Sequence, residues 1–354
     1  MEINELEKRI AEGRKIERVD GVKPSELGET GDEKLDLINL LRGTWTSEAQ
    51  GWNLIALPSS APNAFRLLMN QYGETLRFNV PDKGVPNRGV TPDFGGITSN
   101  PNDETLQVID AIAYEQIIMQ VESEDFPASQ LREKNGNPIH HEPGFFLQFL
   151  NHISVGHTVE DGKENGPDTE LKIARLATIP HGNSVLAMGF VEFKNGAPEI
   201  LKEDARPERI SNNLEDQYLA PYKHFEEFPF FGNVPKSFVN FPGFFPTDAH
   251  AILNFAMPRD RIKKTTILNF DTKFRNAQLT SIPISNIPFI TREAETTEVH
   301  ATFWIMELHK TNESADVEFV MQYSQTVYLE FFNSDEPGKR IRWPHVSINT
   351  LRKT

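Results

Sequence analysis

The chain contains no cysteine, which removes disulfides, zinc–cysteine sites, iron–sulfur clusters and thiol nucleophiles together. Basic residues are scarce: 36 Lys and Arg against 51 Asp and Glu leave a formal charge of −15. Such a surface repels phosphate backbones and anionic headgroups, so neither nucleic acid nor an anionic membrane is an expected partner. No apolar run approaches the length of a membrane span. Met1 to Thr30 is charged and lacks the apolar centre of a signal peptide, and a cytoplasmic location is the expectation. The common catalytic signatures are missing as well: no Gly-rich phosphate loop, no GxGxxG, no GxSxG elbow and no HExxH. Metal chemistry, if there is any, must use His, Asp, Glu or Tyr.

What is present reads as β-structure. A chain of 354 residues holds two average domains or one large all-β domain with insertions. Residues 3–42 carry two short amphipathic helical pieces around a polar middle, and 1–42 is read as an N-terminal helical extension. From residue 43 onward the pattern changes to strands separated by Pro, Gly and Asn. Strands are predicted at 44–57, 65–80, 105–121, 144–151, 169–179, 184–193, 265–279, 298–309 and 317–332. In the last, Val317, Phe319, Met321, Tyr323, Val327, Leu329 and Phe331 share one face, opposite Glu318, Gln322, Ser324, Thr326 and Glu330. That alternation predicts a half-buried antiparallel strand. Around 108–121 one face mixes Asp110, Tyr114, Gln116 and Gln120 with Ile112 and Ile118, which suits a barrel interior or, equally, a solvated side. The expected fold is all-β: one closed antiparallel barrel of about eight to ten strands spanning 43–354.

Residues 200–262 interrupt that rhythm. Eight phenylalanines between Phe225 and Phe245 alternate with Pro229, Pro235, Pro242 and Pro246, and so much aromatic surface must fold back on something apolar. A lid over the barrel mouth, a plug at its end and a homo-oligomer contact all satisfy the pattern.

The most informative stretch is Pro138-Ile139-His140-His141-Glu142-Pro143-Gly144-Phe145-Phe146. On an extended segment His140 and Glu142 share a face and His141 takes the other. Neutral imidazole is the usual ligand for transition metals and haem iron, although a His-His pair at a strand start is more often polar edge decoration. His181 sits in a predicted hairpin turn, and His345 opens a short alternating strand after Trp343-Pro344. Arg175 shares a face with Ile173, Ala177 and Ile179, and an arginine turned into a closed apolar space requires an anion.

Gly43-Thr44-Trp45 followed by His140-His141-Glu142-Pro143-Gly144-Phe145, with His345-Val346-Ser347-Ile348 near the end, resembles the nitrobindin-type haem-binding β-barrels. These are calycin relatives of the lipocalins and fatty-acid-binding proteins. The resemblance implies a b-type haem with His345 as the iron ligand. His140 or His141, with Glu142, would stand on the opposite side or rim of the pocket, and Tyr323 and Trp304 could pack on the macrocycle. It further implies nitric oxide, peroxide or peroxynitrite chemistry. The family's glycine-rich run after the first tryptophan is not kept here, where the chain reads Trp45-Thr46-Ser47-Glu48-Ala49-Gln50-Gly51. Two other readings stay open. One is a non-catalytic carrier of a fatty acid or other hydrophobic molecule, anchored by Arg175; the other is an enzyme using Glu142 or Asp110 as acid or base.

Overall fold

The computed structural model describes residues 37–58, 65–90, 104–129, 136–150, 154–160, 163–179, 181–209, 216–234, 238–275, 282–310, 317–332 and 340–354. Of the predicted N-terminal helical region, 3–36 lies outside the described residues, and Leu37–Leu41 is a helix, α1. The strands follow as β1 (Gly43–Pro58), β2 (Phe65–Phe78), β3 (Asp82–Val90), β4 (Glu104–Phe126), β5 (Pro138–Phe149), β6 (Ser154–Glu160), β7 (Lys163–Leu171), β8 (Ile173–Ile179), β9 (Asn183–Asn195), β10 (Glu208–Arg209), β11 (Ile262–Asp271), β12 (Phe274–Arg275), β13 (Ile284–Asn286), β14 (Glu295–Leu308), β15 (Phe319–Phe332) and β16 (Arg340–Lys353). Three further short helices are α2 (Asp216–Glu227), α3 (Ala251–Ala256) and α4 (Pro288–Glu293).

Ten of these strands pair antiparallel in the order β1-β2-β4-β5-β8-β9-β11-β14-β15-β16, and β16 pairs back onto β1. The sheet is therefore a closed barrel without an open edge among its ring strands. Strand β3 extends β4 beyond the end of β2, while β6, β7 and β12 form a small separate sheet. The predicted strand 169–179 is divided between β7 and β8, and 265–279 between β11 and β12. Strand β16 is longer than the short C-terminal strand the sequence suggested, and it supplies the closing seam.

Contacts across the ring identify the inner face. Arg175 on β8 reaches Gln325 on β15, and Gln116 on β4 reaches Tyr323 on β15; in both cases the partners are far apart in the ring order. The lumen is filled by side chains. Phe146 makes edge-on contacts with Phe78, Tyr114, Phe270 and Phe303, with ring centroids 5.2–5.4 Å apart. These five aromatics come from five strands, so one ring ties together opposite walls. Helix α1 packs against β4 and β5, and its Leu41 carbonyl accepts the indole N–H of the inward Trp45 at 2.8 Å.

The Phe/Pro-rich segment lies along the outer wall of the barrel. Trp52, whose neighbours in register place it outside, meets Phe230, Phe241 and Phe244 at 5.5–6.0 Å. Phe65 stacks on Tyr218, and Gln322 donates to the Leu253 carbonyl at 2.8 Å. Gly232, at φ 54, allows the closest approach, since a Cβ there would stand 2.6 Å from Gln71 Oε1. Consequently β15 is not half-buried as its alternation suggested. Its polar face, with Gln322, Ser324 and Thr326, is buried beneath the insertion.

Truncation of the aromatic hub tests this packing. Phe146→Ala should cost about 3–5 kcal/mol of unfolding free energy, since it removes the ring that four other aromatics contact. Urea denaturation followed by tryptophan fluorescence measures it.

Candidate functional site

Strand β5 carries the motif that drew attention in the sequence. Period two turns His140, Glu142, Gly144 and Phe146 inward, and turns His141 and Phe145 outward, where both are more than a third exposed. Gly144 is required at its position because a Cβ there would fall 2.6 Å from the Tyr114 ring and 2.1 Å from the Leu176 carbonyl oxygen. The glycine of the motif thus makes room for a tyrosine from the neighbouring strand.

Glu142 is fully buried and pairs with Arg175 at 2.5 Å. Tyr114 O–H also donates to Glu142, Arg175 Nε donates to Tyr114 Oη at 3.1 Å, and Arg175 Nη1 donates to Gln325 at 2.5 Å. His140 stands 3.3 Å from the second Glu142 oxygen. Burial by itself would raise the Glu142 carboxyl, but the Arg175 charge and the bonds from His140 and Tyr114 hold it down at about 2. The arginine does have the anion its setting demands, and that anion belongs to the protein.

A second inward cluster surrounds Glu74. Its carboxylate accepts from Tyr323 O–H at 2.6 Å, Asn349 Nδ2 at 2.8 Å and Gln116 Nε2 at 2.8 Å. Burial raises its pKa. Tyr323 therefore serves a buried hydrogen-bond network. The mixed face predicted for 108–121 is an interior face; Tyr114, Gln116 and Gln120 on it bond to other side chains, and Asp110 accepts the Gly84 N–H. The free volume left beside Glu142 and Arg175 is about 10 Å³, room for about one water.

His345 faces β1. Its Nε2 accepts the Ala56 N–H at 3.1 Å, and burial lowers the imidazole to about 4, so it is neutral at pH 7. A haem needs hundreds of cubic ångströms and a free imidazole nitrogen. His345 Nε2 is already bonded to the Ala56 N–H, and the space beside Glu142 and Arg175 is far smaller than a haem. His140, His141, His345 and Trp304 are not brought to one place. Among the described residues no group of three or more His, Asp or Glu is arranged to hold a metal ion.

A larger open space lies outside the barrel. A cleft of about 450 Å³ has the outer faces of β9, β11, β14 and β15 as its floor and residues 199–203 with His250 as its wall. Glu192, Glu199, Glu203, Lys202, His300, Thr302, Trp304, Ser324, Thr326 and Tyr328 line it. At one end His300 is held between Asp271, at 2.8 Å, and Glu298. Although burial lowers its pKa, the two carboxylates raise it to about 9. Glu298 also pairs with Lys273 and Arg342, and the Arg342 guanidinium lies 3.7 Å from the Tyr328 ring centroid. In the wall, His250 Nδ1 is 2.7 Å from the Leu201 carbonyl oxygen and Nε2 is 2.7 Å from Ser324 Oγ. Sequence reasoning singled out neither residue for a site. Ser324 looked like part of a solvated face, and His250 lies in the insertion with no motif around it.

No family model matches the chain, and no curated protein matches it. Among solved structures it is similar to Rv2717c from M. tuberculosis, at 11% identity and a TM-score of 0.34, over 90% of this chain and 96% of that one. At that score the likeness carries no argument about the site. The fold itself, a closed ten-strand antiparallel barrel, is compatible with ligand binding, and no helix among the described residues is long and apolar enough to cross a membrane.

Two charge-removal experiments probe these networks. Arg175→Met leaves Glu142 buried without its cation and should cost about 3–5 kcal/mol, most of it recovered by adding Glu142→Leu; a double-mutant cycle of urea melts measures this. Because the folded Glu142 pKa is depressed from 4.5 to about 2, its contribution is present above pH 4.5 and fades as pH falls towards 2. For His300 the sign reverses. Its folded pKa is raised from 6.5 to about 9, so the Tm gap between wild type and His300→Gln should be full below pH 6.5 and close as pH rises through 9.

Proposed function

We propose that this protein binds a small molecule, and that the guest occupies the outer cleft between the insertion and the barrel wall. The observation that carries this reading is the contrast in free volume, about 450 Å³ in the cleft against about 10 Å³ beside Glu142 and Arg175 in the lumen. Only the first lies in the range of small-molecule sites. Trp304 and Tyr328 give the cleft aromatic surface, and its hydroxyl and carboxylate groups give it directional polar contacts. With Glu192, Glu199 and Glu203 against Lys202 and the charged His300, the lining favours a neutral or cationic guest. A fatty acid would bring its carboxylate against those glutamates, and so would the propionates of a haem.

The haem b reading, with its nitric oxide, peroxide or peroxynitrite chemistry, rests on the resemblance of short motifs. It would require His345 to leave the Ala56 N–H and the lumen to empty.

Titration with the neutral dye Nile red, read by fluorescence, tests the cleft. Saturable binding near one equivalent is expected, weakened at least tenfold by Thr302→Trp, which fills the floor. Binding untouched by that substitution would refute the assignment. Haemin addition is the matching control: a Soret band that disappears in His345→Ala would place the guest in the barrel and overturn the cleft reading.

A further inference from the structure

The wall and floor of the cleft meet at two hydrogen bonds, Thr326 Oγ1 donating to Glu203 at 3.1 Å and a second between His250 Nε2 and Ser324 Oγ at 2.7 Å. The direction of the second bond follows from chemistry. A carbonyl oxygen can only accept, so the contact of His250 Nδ1 with the Leu201 carbonyl at 2.7 Å places the imidazole proton on Nδ1. In the neutral ring Nε2 is then an acceptor, and the Ser324 hydroxyl donates to it. A serine whose proton already points at an imidazole nitrogen, with that imidazole oriented through its other nitrogen by a third group, has the geometry of an activated nucleophile. The third group here is a backbone carbonyl where the familiar triads use a carboxylate, so it fixes tautomer and ring orientation but adds no full negative charge.

The local packing holds the pair still. Ser324 lies mid-strand on β15, paired with Thr302 and Ile348. His250 immediately precedes α3, and its ring meets the Trp304 ring edge-on at 6.1 Å. Both residues are nearly covered, at 7% and 8% exposure, yet both belong to the lining of the cleft. Lys202 belongs to the same lining.

From this geometry we infer that Ser324 and His250 form an acyl-transfer dyad that hydrolyses small uncharged or cationic carboxylic esters bound in the cleft. Ser324 Oγ attacks the ester carbonyl carbon while His250 Nε2 takes the hydroxyl proton. The bond from that carbon to the alcohol oxygen breaks, and His250 returns the proton to the departing alcohol. Water then attacks the acyl-serine, giving its proton to His250; the carbon–Oγ bond breaks, and Oγ takes the proton back. No oxidant, reductant or further reactant enters. This inference rests on the cleft being the binding site.

Labelling the full-length wild-type chain with a fluorophosphonate tests it without depending on a variant that folds. The expected result is one phosphonyl adduct, mapped by mass spectrometry to the peptide carrying Ser324. Ser324→Ala should abolish the adduct, and His250→Gln should slow labelling by about 10²-fold, with p-nitrophenyl acetate hydrolysis falling in step. Absence of an adduct on Ser324, or labelling at the same rate in His250→Gln, would overturn the dyad. Nile red bound normally by a chain that fails to label would sink the dyad alone; loss of both would sink the cleft reading with it.

Discussion

The structure depends on a lumen that its own side chains must fill with charge and polarity balanced. A ring of ten strands leaves an interior too wide for aliphatic residues alone, and this chain fills part of it with buried carboxylates, Glu142 and Glu74 among them. Glu142 is neutralised by Arg175 and clasped by Tyr114, whereas Glu74 is held by three side-chain donors. Buried polar networks are costly when half satisfied and specifying when complete. Each of these draws on strands from different parts of the ring, so the networks help fix which strands face one another and in what register. The aromatic cluster around Phe146 supplies much of the remaining volume. With the lumen occupied in this way, the larger open space lies along the outer wall.

The insertion creates that space. Its aromatic half adheres to β1 and β2, where Trp52 and Phe65 would otherwise be exposed, and residues 199–203 with His250 line the cleft over β9, β11, β14 and β15. Because one segment both seals an apolar wall and forms one side of a polar cleft, the cleft's depth depends on how firmly the aromatic half is seated. His250 is the point at which the two regions are joined.

Much of this was legible in the sequence. Alternation of apolar and polar residues gave most ring strands, and closure followed from having many long strands with few helices to cover them. Period two also placed His140 and Glu142 on one face and His141 on the other. The partner of Glu142 could not be read, because Arg175 is 33 positions away in sequence and meets it only through the register of β5 against β8. Arg175 was read as an anchor for a ligand's carboxylate, and its partner is the protein's own Glu142. The outer cleft was invisible for a related reason: Ser324 and Thr326 look solvated on a strand taken alone, and only the folded-back insertion buries them. Local periodicity reports which residues share a face, but not what lies against it.

The seam between β1 and β16 has a consequence for how the molecule is made. The ring is joined by pairing its earliest strand with its last, across roughly three hundred intervening positions, as in Trp45 with Lys353. During synthesis the nascent chain can zip its hairpins in succession, yet the cylinder stays a curled ribbon with two unpaired margins until β16 leaves the ribosome. For that interval β1 and β15 each present raw backbone to the surroundings. The bulge at Glu48–Gln50, which interrupts β1 against both of its neighbours, breaks one margin into shorter stretches and makes it a poorer template for a foreign strand.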